Sequence, residues 1–146
     1  MNRYVLNDLI YLLLIALFIY TAVSKVYELE IFHEQMLNQP LPHWLTTRLS
    51  WLIPSIEIVT VVLLAIERTR LYGFIISFAL LGAFTLYVLL VLVHFFDRVP
   101  CSCGGVLQSM TWEAHLAFNI IFFLLAFAGL RLEQMRLKNS PDEISL

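Results

Sequence analysis

The sequence predicts an all-α membrane protein: a bundle of four transmembrane helices, both termini cytoplasmic, with a short interfacial helix between the first two spans. Three observations predict it. Of the 146 residues, 60% are hydrophobic and 14% charged, against about 45–50% apolar in soluble domains. The excess is gathered into four runs that no water-facing surface accommodates. None of these runs shows the strict alternation of a barrel strand, so helices must satisfy the backbone within lipid. The same composition excludes a disordered chain, a nucleic-acid-binding face and a secreted disulfide scaffold. A net charge of -2 and a pI near 6.0 leave no basic field for an acidic partner.

The runs are Leu9 to Ser24, Leu49 to Ile66 (broken only by Glu57), Leu71 to Phe96, and Ala114 to Leu130. About 17–25 apolar residues cross the hydrocarbon core as a helix. The third run meets that length outright. The others meet it once flanking Tyr, Trp and snorkelling basic residues are counted into the interface. Between the second and third, Glu67 to Arg70 (E-R-T-R) leaves room only for a tight turn, hence an antiparallel hairpin. Between the first and second, Leu29, Phe32, Met36 and Leu37 fall at helical spacing among Glu28, Glu30 and Glu34. This is the interfacial helix, stopped by Pro40 and Pro42, with Trp44 and Trp51 as headgroup-level anchors. Residues 1–138 form one membrane domain, and 139–146 (ending N-S-P-D-E-I-S-L) read as a disordered tail.

Orientation follows from the basic residues. Four spans put both termini on one side, with Arg3, Arg68, Arg70, Arg131, Arg136 and Lys138, against Lys25, Arg48 and Arg98 on the other. The excess places the termini inside and the loop between the third and fourth spans outside, as in a multi-pass protein of a bacterial inner membrane. Asn2-Arg3, the following apolar run and Ala22-Val23-Ser24 also mimic a signal peptide. Asp8 and the bulky Tyr20 fit that alternative poorly.

Polar residues gather in the outer half. Glu57 lies eight residues into the second span, about 12 Å deep at the helical rise. A carboxylate in lipid needs a partner, and Lys25, closing the first span on that side, is the candidate. The pair is either structural or a proton donor and acceptor. His94 falls one turn inside the end of the third span, with Tyr87 two turns further down the same face; Trp112 and His115 open the fourth. The inner half reads as mostly hydrocarbon and small side chains.

Both cysteines fall in one tripeptide, Cys101-Ser102-Cys103, after Pro100 and before Gly104-Gly105. One intervening residue can just bring Cα atoms within the roughly 4.4–6.8 Å that a disulfide needs. A strained, exposed bond of this kind is oxidising and exchangeable. Three readings stay open: a redox dithiol, a metal site of Cys101, Cys103, His94 and His115 suited to zinc or copper, and inert loop cysteines.

Ser24-Lys25 followed by Phe32, then Pro54-Ser55-Ile56-Glu57, Arg70 with Gly73, Tyr87, and Cys101-Ser102-Cys103-Gly104 together resemble the DoxX-like and methylamine-utilisation (MauE) redox-associated membrane proteins. The resemblance implies a four-helix bundle with an accessory role in periplasmic redox or disulfide chemistry. In the methylamine-utilisation relatives that role is maturation of a disulfide-rich dehydrogenase subunit. The bundle also resembles the vitamin K epoxide reductase type, which oxidises partner thiols at the expense of a quinone. Two departures stand out. Gly105 replaces an aromatic residue common beside the motif's glycine, and there is no second cysteine pair to relay electrons. Cys101 and Cys103 would then exchange directly with a periplasmic thiol or disulfide protein, or the chain would be one subunit of a complex. The expected site has Cys101 and Cys103 as the exchanging pair and Glu57, His94 and Lys25 managing protons. Tyr87, Trp112 and His115 would border a pocket admitting a quinone. The alternative is a non-catalytic assembly or transport subunit whose cysteines bind metal or pack.

Overall fold

The computed structural model describes residues 3–39, 41–95 and 111–139. Within them lie α1 (Arg3–Tyr27), α2 (Leu29–Leu37), α3 (His43–Ala65), a 3-10 turn at Glu67–Thr69, α4 (Arg70–Leu92) and α5 (Trp112–Asn139). All but α2 are long and apolar enough to cross a membrane, so the chain is an all-helical, multi-pass membrane protein. Outward-facing positions confirm the solvent: Leu12, Ile58, Val62, Leu86, Ile121 and Leu124 are all exposed. Inside, Thr60, Ser77 and Asn119 are buried. Such an inside-out distribution suits lipid, in which polar groups need protein partners.

Going round the bundle, the order is α1, α3, α4, α5, with α4 packed chiefly on α5, α1 on α3, and α2 on α3. The diagonal pairs are therefore α1 with α4 and α3 with α5. The central core is built from Ile10, Leu14 and Phe18 of α1, Leu64 of α3, Phe74 and Leu81 of α4, and Ala126 of α5. Gly73 sets the α3–α4 approach: a Cβ there would lie 2.8 Å from the Leu64 backbone nitrogen.

The expected E-R-T-R turn is the 3-10 turn, and the spacing of Leu29, Phe32, Met36 and Leu37 gives α2, with Phe32 and Met36 buried. Pro42 immediately precedes α3. Pro40 and residues 140–146 lie outside the described residues.

Two expectations need correction. The third span was expected to run to Phe96, but α4 ends at Leu92. His94 stands just beyond it with φ 53°, its N–H bonded to the Val91 carbonyl (3.1 Å) and that of Phe95 to the Leu90 carbonyl (3.0 Å). This is a Schellman ending, with histidine in the left-handed position that glycine usually fills. The fourth span was expected to end at Leu130, but α5 continues to Asn139. Charge ends an apolar run without ending a helix: Arg131, Glu133, Arg136 and Lys138 are good helix formers, and the last two complement the C-terminal dipole.

At the end of the bundle where α1 begins and α5 ends, polar contacts stand among the mostly hydrocarbon side chains. Asn7 Nδ2 donates to Glu133 Oε2 at 2.6 Å, both side chains being buried. Arg136 pairs with Glu67. Arg70 donates from Nε to the Leu64 carbonyl at 3.1 Å, and its guanidinium lies 4.0 Å from the Tyr11 ring centroid. These bonds tie α1, α5, the turn and α4 together at that end.

Candidate functional site

At the opposite end the helices part around a cavity of about 280 Å³. Its walls are largely apolar, formed by Leu17 and Phe18 of α1, Ile53 of α3, Leu81 and Phe84 of α4, and Phe118 of α5. Into this lining the sequence inserts a few polar groups, contributed by all four long helices and by the end of α2.

Lys25 closes the last turn of α1, where a cation suits the helix dipole. Its Nζ donates to Glu57 Oε1 at 2.7 Å and lies 3.5 Å from the Thr21 carbonyl. Lys25 is 8% exposed and Glu57 1%, so the pair is withdrawn from solvent on both sides. Glu57 is held one turn after Pro54, a residue that gives α3 no N–H at that point. From above, α2 covers the pair: the Lys25 ammonium sits 5.9 Å from the Phe32 ring centroid.

The second polar group joins α4 to the end of α2. Tyr87 donates its hydroxyl to Gln39 Oε1, and Gln39 Nε2 donates to the Gln35 carbonyl at 3.2 Å. The third comes from α5, where the Trp112 and His115 rings are nearly parallel, 20° apart, with centroids 6.3 Å apart. Deeper on the same helix, Asn119 also lines the cavity and is buried.

The structure thus brings five of the eight expected residues to one cavity: Lys25, Glu57, Tyr87, Trp112 and His115. It does not bring His94 there. The early end of α4 turns this residue out of the helical register it would need, leaving it exposed in the helix-ending turn. Cys101 and Cys103 lie outside the described residues. The described residues break off after Phe95 and resume at Thr111, one residue before Trp112 of the cavity.

Gln39 and Asn119 are the residues that sequence reasoning missed. Both are uncharged amides, so a search for charge in apolar runs passes over them. Asn119 did carry a signal, as the one amide side chain in the run from Ala114 to Leu130. Among the described residues no group of three or more His, Cys, Asp or Glu could hold a metal ion.

The chemistry open to this arrangement is narrow. An apolar chamber with one buried ion pair, two amides, a phenol and two ring nitrogen groups can hold a small, largely apolar molecule with polar functions, and can hold or pass a proton beside it.

A family model described as methylamine utilisation protein MauE matches residues 3–132, which takes in the first three spans, the apolar part of the fourth and the segment bearing both cysteines. No curated protein and no solved structure matches the chain.

Proposed function

The chain belongs to the methylamine utilisation protein MauE family, and from that premise we propose that it is a redox-associated protein of a bacterial inner membrane, exchanging disulfides with a periplasmic partner through Cys101 and Cys103. The observation that carries this reading is the cavity with the buried Lys25–Glu57 pair, set at the end of the bundle where α4 ends and α5, with Trp112 and His115, begins. Both termini are then cytoplasmic, and α2 lies in the outer interface with Trp44 and Trp51 exposed at headgroup level.

In the proposed cycle a partner thiolate attacks one sulfur of the Cys101–Cys103 disulfide. That bond breaks as a mixed disulfide forms, and the other cysteine leaves as thiolate. The partner's second thiolate then attacks the mixed disulfide, leaving the partner oxidised by two electrons and Cys101 and Cys103 as a dithiol. A quinone, when bound, supplies the acceptor for the two electrons and two protons released as that dithiol closes again. Within the chain, Glu57 holds a proton beside the cavity, and Lys25 neutralises the carboxylate when the proton is gone. Tyr87, Trp112 and His115 border the space and help exclude water from it. With one cysteine pair the chain cannot relay electrons internally, so the partner either docks directly or shares a complex with it.

Trapping tests this reading. In membranes from cells expressing Cys101→Ser or Cys103→Ser, one of the two variants accumulates a reductant-sensitive adduct with a specific periplasmic protein. Absence of an adduct from both variants, at wild-type levels in the membrane, overturns the exchange reading. So does a stoichiometric metal in the purified protein that Cys103→Ser loses. Either result favours a non-catalytic assembly subunit.

A further inference from the structure

The cavity is covered toward the outer surface and open on one flank. Its cover is α2, whose Phe32 and Met36, with Gln39 just beyond, line it and are buried. Only two lining residues are exposed, Leu41 at the outer rim and Ala83 of α4. Ala83 stands nine residues before Leu92, the last of α4, which is about 14 Å at the helical rise. Ile53, on the opposite wall, stands ten residues after His43, the first of α3, and so at a matching depth. A gap at that level faces acyl chains and not water.

Helical geometry identifies the open flank. Gly82 faces α5, since a Cβ there would lie 3.2 Å from the Phe123 ring, and Gly73 faces α3 at the Leu64 backbone. At roughly 3.6 residues per turn, the lining of α4 then runs in the order Leu81, Val88, Phe84, Tyr87, Ala83, from the bundle axis past the α3-facing side to lipid. Exposure follows the same order: the first two are buried, the next two half-buried and the last exposed. The facing wall is Leu49 and Ile53 of α3, both half-buried. The hairpin is thus pinched at Gly73 and Leu64 and parts in its outer half, leaving a slot between Ile53 and Ala83. Polar side chains lie across the cavity from that slot, Thr21 and Lys25 on α1 and His115 and Asn119 on α5. Lys25 is already neutralised by Glu57 at 2.7 Å, so a second buried charge would have no counter-ion.

We propose that the cavity is loaded sideways from the bilayer through the α3–α4 slot, and that its ligand is a single-tailed amphiphile with an uncharged polar head. The head passes Ala83 to reach the α1 and α5 walls, and the tail stays across the slot in lipid. A volume of about 280 Å³, at the lower edge of the roughly 300–1,000 Å³ usual for small-molecule sites, takes the head and the first carbons. The rest of the tail needs no room inside, because the bilayer solvates it. Ala83 is the threshold residue, its small side chain leaving the slot open, and Ile53 narrows the slot from the other side. Loading needs neither Cys101 nor Cys103 and goes beyond the exchange proposed above.

The test is photolabelling of the purified full chain in nanodiscs, using hexadecanol with a diazirine beside its hydroxyl end and mapping the labelled residues by mass spectrometry. Phe18 and Leu81 line the cavity and are buried, so a label on them has come through an opening; Ile121 and Leu124, exposed on α5, are the lipid-facing reference. Labelling of both walls is expected. Relative to the reference it falls about fivefold in Ala83→Phe and in Ala83→Leu and rises in Ile53→Ala. Because Ala83 is exposed, its variants keep the parent's unfolding temperature. A diazirine at the far end of the chain labels the reference and not the walls. Unlabelled walls, or wall labelling that neither Ala83 variant nor Ile53→Ala moves, overturns the slot. So does wall labelling that ignores Ala83 and rises in His33→Ala, which frees α2 from Ser50, since entry then lies beneath α2. Equal wall labelling by the same chain ending in an ionised carboxylate overturns the uncharged head. A Cys101→Ser/Cys103→Ser protein is labelled like its parent, with or without a trapped adduct in the single variants, so the slot and the thiol exchange stand or fall separately.

Discussion

Replacing Lys25 by methionine keeps the length of its stem and removes the charge that faces Glu57. In the parent, Nζ lies 2.7 Å from Oε1 and both side chains are almost fully buried. Beyond Lys25 the carboxyl has only the Thr21 hydroxyl as a side-chain hydrogen-bond partner, so Lys25→Met leaves it in an apolar wall without its counter-charge. Breaking a buried pair from one side costs about 3–5 kcal/mol. At about 2–4 °C per kcal/mol for chains of this size, the unfolding temperature falls by about 6–20 °C. Glu57→Gln is milder, because the amide oxygen can still accept from Nζ and lysine near a helix end can turn its head group outward. The double variant Lys25→Met/Glu57→Leu replaces the pair with apolar volume and recovers most of the loss. The assay is thermal unfolding of the detergent-purified protein, run as a double-mutant cycle. Coupling of about 1.5–3 kcal/mol is expected, in the upper range for residues in contact. Additive losses, or a Lys25→Met cost below the roughly 1 kcal/mol of an exposed pair, would refute the reasoning.

Two further predictions concern the backbone. At His94, with φ 53°, glycine suits the left-handed position and valine does not. His94→Gly therefore keeps or raises the unfolding temperature, and His94→Val lowers stability by about 1–2 kcal/mol; thermal unfolding of both checks it, and the reverse order would remove the helix-ending role. At Gly73, an added methyl would meet the Leu64 backbone nitrogen at 2.8 Å, and a backbone atom cannot swing aside. Gly73→Ala thus costs about 1–3 kcal/mol by overpacking the α3–α4 hairpin, seen as a shift in detergent unfolding, while an unshifted transition would mean that the two helices can separate freely.

What was legible in the sequence depended on how rare each signal is in apolar surroundings. Glu57 interrupts an otherwise uncharged run, and only Lys25 abuts the first span on its side, so the pair could be named without coordinates. The short helix showed in the spacing of its apolar residues, and the turn in its length. Helix ends were harder. Around His94 the run L-V-L-V-H-F-F carries no glycine or proline, so nothing local marks the stop that hydrogen bonding imposes. At α5 the opposite error arose, because a charge that ends an apolar run does not end a helix. Asn7 and Glu133 went unnoticed for a different reason. They lie 126 residues apart, at span edges where polar side chains are ordinary, and only packing shows that they meet in the interior. Asn119 is likewise unremarkable until the cavity it borders is known.

The two ends of the bundle differ in what holds them. Around the termini, Asn7–Glu133, Arg136–Glu67 and Arg70 with Leu64 and Tyr11 join every long element to a neighbour through polar contacts. Around the cavity, the side-chain links between elements among the described residues are Lys25–Glu57, Tyr87–Gln39 and His33–Ser50, and most of the remaining lining is apolar side chains bordering open space. Mechanically this is a clamped base and a compliant mouth. Helices fixed at one end can splay at the other by small tilts, breaking no polar bond at the base and few at the rim. A molecule entering the chamber, or a partner pressing on the segment between α4 and α5, would be felt as a change in how far the mouth opens, while the base and the span register stay as they are.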